Sequence, residues 1–136
     1  MGYSPPEAVT MQLEGVRTWT TQFSIDMWSF GVIAFELLTG TSVLPKGPTL
    51  VTESAKTARG APFPWEDTTA PMYPSMMRKL GFMHDSLLLM LKRNPLERPL
   101  LREVITMWRR QLRQETLALT AAARATVALP RVQSME

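Results

Sequence analysis

One histidine, no cysteine and twelve carboxylates are what this 136-residue sequence offers for acid–base or metal chemistry. His84 is followed by Asp85 and Ser86 just ahead of a short helical pattern. A general base must reach the proton that it takes, and here a surface or capping residue is the simpler reading. Metal ligands need several His, Cys or acidic groups at set spacing, so the sequence predicts no metal site. Without cysteine there is also no disulfide framework. The glycines at 2, 15, 31, 40, 47, 60 and 81 are scattered and make no phosphate loop. Two charged residues stand out by position: Asp26 in the apolar run SIDMWSFGVIAFELLTG (24–40), and Arg98 in RNPLERP.

The run around Asp26 predicts a helix over about 25–39, with Ser24 as N-cap and Gly40 in the left-handed position after its end. Its apolar residues leave no polar stripe, so it must either cross a membrane or lie in the centre of a larger body. A span needs about 20 apolar residues. This run is shorter and bears Asp26 and Glu36 near its ends, so the central-core reading is adopted. Two roles for Asp26 stay open at this point. A carboxylate in a first helical turn is favoured by the helix dipole, by about 0.3–1 kcal/mol. Alternatively, it accepts backbone N–H groups from a neighbouring loop and holds that loop in shape.

The other elements follow from prolines and periodicity. Pro6 suits the first position of a helix over about Glu7 to Glu14, and 15–23 reads as loop. Residues 41–72, with five prolines among Thr, Ser, Gly and Ala, read as a long loop of the kind that is often mobile or functional. Short helices are expected over 74–82, begun by Pro74, and from Ser86 to Lys92, capped by Asp85. Pro99 opens the longest helix, whose stripe is Leu101, Val104, Ile105, Trp108 and Leu112. Alanines extend it to about Ala125. The adjacent Met76 and Met77 read as adaptable core filling. With no repeat and no convincing strand, the fold class is all-α.

The sequence is 45% hydrophobic and 20% charged, enough for one domain with a core. Its net charge of +3 belongs to the tail, where Arg109, Arg110, Arg113, Arg124 and Arg131 face only Glu115 and Glu136. A solvated helix face explains this better than nucleic-acid binding, which is set aside with acidic lipid. No secretory signal is read at the start, and an intracellular, cytoplasmic location is expected.

YSPPE at 3–7, DMWSFG at 26–31 and RNPLERP at 93–99 stand in this order. Together they resemble the second half of a eukaryotic-type protein kinase domain, over about residues 2–108. YSPPE resembles the Ala-Pro-Glu motif that closes the activation segment, with Pro5 where Ala is usual. DMWSFG resembles the Asp-x-Trp-Ser-x-Gly start of the large lobe's central helix. RNPLERP resembles the Asp-Pro-x-x-Arg-Pro motif, with Asn94 in place of the acid. The resemblance implies a structural motif of Pro6, Glu7, Asp26, Trp28, Gly31 and Arg98. Glu7 would pair with Arg98, buried rather than exposed. Asp26 would accept N–H groups from a catalytic loop, and Trp28 would pack near the Pro6–Glu7 turn. Tyr3 leans the resemblance toward Ser/Thr kinases. The spacing from Glu7 to Asp26, and residues 41–72, look longer than in compact members.

Phosphoryl transfer by such a domain needs a glycine-rich cover, a lysine paired with a helix glutamate, a catalytic aspartate and Asp-Phe-Gly. None occurs here, and Lys46, Lys56, Lys79 and Lys92 all follow the YSPPE motif. The resemblance thus implies a partial large lobe at 1–108, lacking the N-lobe, catalytic loop and Asp-Phe-Gly segment. A basic helical extension and frayed tail at 109–136 follow it. No catalytic, cofactor or metal residue is assigned, and the chain alone is expected to be inactive. ATP and Mg2+ are expected only for a complete parent kinase, as is a protein substrate. The expected partner is the missing N-terminal part of the domain, or another protein binding a kinase-derived scaffold. In that case Asp26 and Trp28 are expected to be more exposed. A fragment, a splice product and a degenerate copy all fit this pattern.

Overall fold

The structure, a computed structural model, describes residues 3–15, 22–44 and 49–127. Six α-helices follow one another: α1 (Pro6–Leu13), α2 (Gln22–Thr39), α3 (Leu50–Ala58), α4 (Tyr73–Lys79), α5 (His84–Met90) and α6 (Leu101–Val127). Short 3-10 turns occupy Gly81–Met83 and Pro95–Glu97. No strand occurs among the described residues, so the fold is all-α. No helix among them is long and apolar enough to cross a membrane.

Helix α1 begins on Pro6, whose missing N–H is one that a first turn leaves unused anyway. Helix α2 begins at Gln22, earlier than the sequence suggests. Ser24 therefore lies inside the helix rather than at its cap, and Asp26 falls beyond the first turn. At the other end Gly40 has φ +69°, and its N–H donates to the Glu36 carbonyl at 2.9 Å. A residue with a Cβ is strained there, which is why glycine stops the helix.

The core forms around one side of α2, where Trp28, Val32 and Phe35 are buried. Leu80, Leu87, Met90, Leu91 and Val104 close over it from the later elements. Met76 joins this core and Met77 packs on its edge. Gly31 lets α5 approach closely, because a Cβ there would lie 3.1–3.2 Å from Leu91 and Met90 side-chain atoms. Trp108 donates its indole N–H to the Ser86 hydroxyl, which fastens α6 to α5.

Residues 41–72 differ from the long loop expected. They contain α3, and the turn after it sends Phe63 and Trp65 into the core. Phe63 stacks on Trp65 with ring centroids 4.8 Å apart, and Trp28 meets both rings edge-on at 5.2 and 5.7 Å. The prolines that suggested a loop hold an aromatic wedge instead. Asp85 does not cap α5 with its side chain; it sits in the first turn and pairs with His84 at 2.8 Å. Asn94 is the capping side chain of this region, accepting the Leu96 N–H at 3.0 Å.

Helix α6 runs two residues past the expected Ala125. Of its apolar stripe only Val104 is buried, while Leu101, Ile105 and Leu112 are exposed. From Leu112 to Val127 every residue is exposed. Residues 128–136, with Arg131, lie outside the described part, as does Lys46.

Candidate functional site

Among the described residues, Arg98 is the most heavily used side chain in the polar framework. The turn at Pro95–Glu97 delivers it inward, and its side chain is 0% exposed. Nη1 donates to Glu7 Oε1 at 2.6 Å and to the Ser24 carbonyl at 2.9 Å. Nη2 donates to Glu7 Oε2 at 2.8 Å and to the Arg93 carbonyl at 3.1 Å. Nε donates to the Lys92 carbonyl at 2.8 Å. A guanidinium has five N–H groups, so each has an acceptor. The guanidinium carbon also lies 4.9 Å from the Trp28 ring centroid. Lysine could supply the charge but neither the fork nor the stacking plane.

Four of the motif residues thus meet at one clamp. Pro6 is buried at the start of α1, Glu7 follows it, and Trp28 forms the floor beneath Arg98. Ser29 adds a link, donating to the Tyr3 carbonyl at 2.9 Å. Gly31 lies one turn further along α2, at the close approach to α5. Trp28 is 1% exposed, against the expectation that it would be uncovered. Phe63 and Trp65 supply the cover, from the segment that the prolines had suggested to be loop.

Asp26 stands apart from the clamp. It is exposed and has no hydrogen bond or ion pair with described residues. It belongs to a row of exposed side chains along α2, with Phe23, Phe30, Ile33 and Leu37. Their spacing of three and four residues puts them on one face. Phe23 and Leu37 are each 79% exposed. So α2 is a helix with one buried and one open apolar face, rather than one buried all round. Where its first turns meet the start of α6, Phe23, Asp26, Met27, Leu96, Leu100 and Leu101 line a groove of about 500 Å³.

A second ionic hub was missed in the sequence. Arg93 donates through Nε and Nη2 to the Glu66 carboxylate, both at 2.8 Å. It also donates to the carbonyls of Thr57 and Ala61 at 2.6 and 2.7 Å. Its guanidinium carbon lies 4.8 Å from the Phe63 ring centroid. Arg93 thus holds the aromatic wedge shut. The signal in the sequence was Arg93 beside Asn94-Pro95, together with an acid just after Phe-Pro-Trp, and neither marks the other.

Glu36 ties the N-terminal segment to the end of α2. It accepts from the Tyr3 hydroxyl at 3.2 Å and from the Val43 N–H at 2.8 Å. The Glu36 charge, and then this hydrogen bond, raise the Tyr3 phenol above its ordinary pKa. Among the described residues no group of three or more His, Asp or Glu could hold a metal ion. The arginines of α6 beyond Trp108 are exposed and lie far along the helix from the clamp. Searches of protein-family models, curated proteins and solved structures find no match to this chain.

Proposed function

We propose that this chain is the substrate-side portion of a eukaryotic-type protein kinase large lobe, of Ser/Thr type. On this reading it does not transfer phosphate by itself. The observation that carries the reading is the convergence of three separated motifs on one clamp: Glu7 of YSPPE, Trp28 of DMWSFG and Arg98 of RNPLERP. Such a clamp would fix the end of an activation segment against the last helices. Asp26, with its open carboxylate, would then receive the N–H groups of a catalytic loop supplied by upstream sequence.

The described residues do not fit a nucleotide. Gly15, Gly40, Gly60 and Gly81 each serve a separate left-handed turn. Lys56 pairs with Glu53 on the surface, and Lys79 donates to the Thr39 carbonyl at the end of α2. These groups make no cradle for phosphates. Mg-ATP is expected to leave the melting temperature of the isolated chain unchanged; a saturable rise would overturn this reading. The coding sequence upstream of Met1 gives the second test, where an open frame encoding His-Arg-Asp and Asp-Phe-Gly is expected.

A second reading is a non-catalytic interaction module. The open apolar face of α2 favours it, since contiguous exposed apolar surface marks association sites. A start signal directly before Met1, with no kinase motifs upstream, would select it.

A further inference from the structure

The groove between the first turns of α2 and the start of α6 has a volume of about 500 Å³. Phe23, Asp26 and Met27 line it from α2, and Leu96, Leu100 and Leu101 from the other side. Small-molecule sites hold about 300–1,000 Å³ and join an apolar lining to a few polar groups. This groove has that make-up. Phe23, Leu96 and Leu101 are 79%, 90% and 58% exposed, so an occupant would take apolar surface out of water.

Charge decides which occupant fits. Among the described lining residues only Asp26 and Arg98 are ionisable. Arg98 is saturated, with five N–H groups donated and its charge balanced by Glu7. Asp26 has no hydrogen bond or ion pair with described residues. Next to the lining in sequence stand Glu97, Arg102 and Glu103, which add net negative charge. The starts of α2 and α6 would by their dipoles favour an anion. At α6, however, the Glu103 carboxylate already accepts the Leu100 N–H at 2.6 Å, and at α2 Asp26 itself lies close to the first turn. The groove therefore offers a carboxylate and lacks a cation. A ring such as Phe23 adds to the attraction, because an aromatic face draws positive charge. A second groove of about 390 Å³, beside Phe63 and Met72, includes Glu53 and Asp67. There Glu53 accepts from Lys56 and Asp67 from the Thr69 hydroxyl, both at 2.7 Å, so its acids already have partners.

We propose that the groove between α2 and α6 binds a lipophilic monocation. Its ammonium group pairs with Asp26, and its hydrocarbon body lies against Phe23, Leu96, Leu100 and Leu101. The groove alone carries this assignment, with or without kinase ancestry.

The test is an NMR titration of the full isotope-labelled chain with phenylbutylammonium, phenylbutanol and phenylbutyrate, which share a hydrocarbon body and differ in charge. Saturable shifts are expected at Phe23, Asp26, Leu96 and Leu101. The ammonium probe should bind about threefold or more tighter than the alcohol, and the carboxylate should bind more weakly than either. Asp26→Asn should bring the ammonium probe level with the alcohol, while Phe23→Ala should weaken both by about threefold or more. Both side chains are exposed, so circular dichroism melts of the two variants should match the wild type. A chain that binds none of the probes overturns the proposal. So does an ammonium probe that binds no tighter than the alcohol, or one whose advantage survives Asp26→Asn. Tightest binding of the carboxylate would show that the helix starts rule the groove, and shifts centred on Phe63 and Met72 would place the site elsewhere; either result also overturns it.

Discussion

Replacing Arg98 with alanine tests the clamp most directly. The substitution removes all five donors at once. Glu7, only 21% exposed, keeps its charge but loses its partner, and the carbonyls of Ser24, Lys92 and Arg93 lose a donor each. Trp28 also loses the cation on its face. Breaking a buried pair by removing one member costs about 3–5 kcal/mol. Glu7 retains one open side through which water can enter, which argues for the middle of that range. Domains of this kind are stable by about 5–15 kcal/mol, and 1 kcal/mol shifts melting by about 3–5 °C at this length. The expected result is a fall of about 12–20 °C by circular dichroism, with a lower urea midpoint. Arg98→Lys keeps the charge without the fork and should lose about half as much. If Arg98→Ala proves insoluble, Glu7→Gln gives the milder measure, at about 1.5–3 kcal/mol. An Arg98→Ala chain that melts within about 3 °C of wild type refutes the claim that this clamp organises the fold.

Three further outcomes are expected. Gly31→Ala should lower the melting temperature, because contacts at 3.1–3.2 Å imply an overpacking cost of about 1–3 kcal/mol. Over most of its range that outweighs the helix-propensity gain of about 1 kcal/mol, so a more stable variant would show that α2 and α5 have room to part. Arg93→Ala should release the aromatic wedge, seen as faster limited proteolysis between Thr57 and Ala70 while α6 keeps its protection. Uniform protection would show that the wedge holds without its ionic hub. Glu36→Gln should bring the Tyr3 titration down toward 10.0, read from tyrosinate absorbance with Tyr3→Phe to assign the signal. The sign follows from the raised folded value: the Tyr3 contribution is present below the ordinary phenol pKa and is lost as pH rises through the folded one. A titration unmoved by the substitution would show that Glu36 is not its cause.

The helices whose ends are set by proline and glycine were legible in the sequence. Pro6 opens α1 and Gly40 closes α2 because those two residues restrict the backbone locally. Caps that depend on polar side chains were not, since Ser24 and Asp85 are equally at home inside a first turn. Helix α3 was missed because its nine residues, LVTESAKTA, lie in a proline-rich stretch and bury Ser54 rather than a large apolar side chain. Pro62 and Pro64 read as loop because proline reports where N–H groups are absent, not whether neighbouring rings are buried. Of the clamp, Glu7, Trp28 and Arg98 were readable through the three motifs. The open side of α2 was not, because a helix apolar all round gives no sign of which face its own chain will cover.

The clamp also sets the order in which the chain can become itself. Arg98 and Glu7 are separated by 91 positions, and the carbonyl of Ser24 waits on the same guanidinium. During synthesis at about 5–20 residues per second, α1 exists for about 5–18 seconds before its partner is made. For that interval the Glu7 carboxylate and the Trp28 ring have no cation to receive them. The N-terminal third must remain uncommitted, or be sheltered, until the ribosome reaches the last turn before α6. A stop codon anywhere ahead of position 98 would therefore yield a chain that never closes, however many of its helices it already possessed.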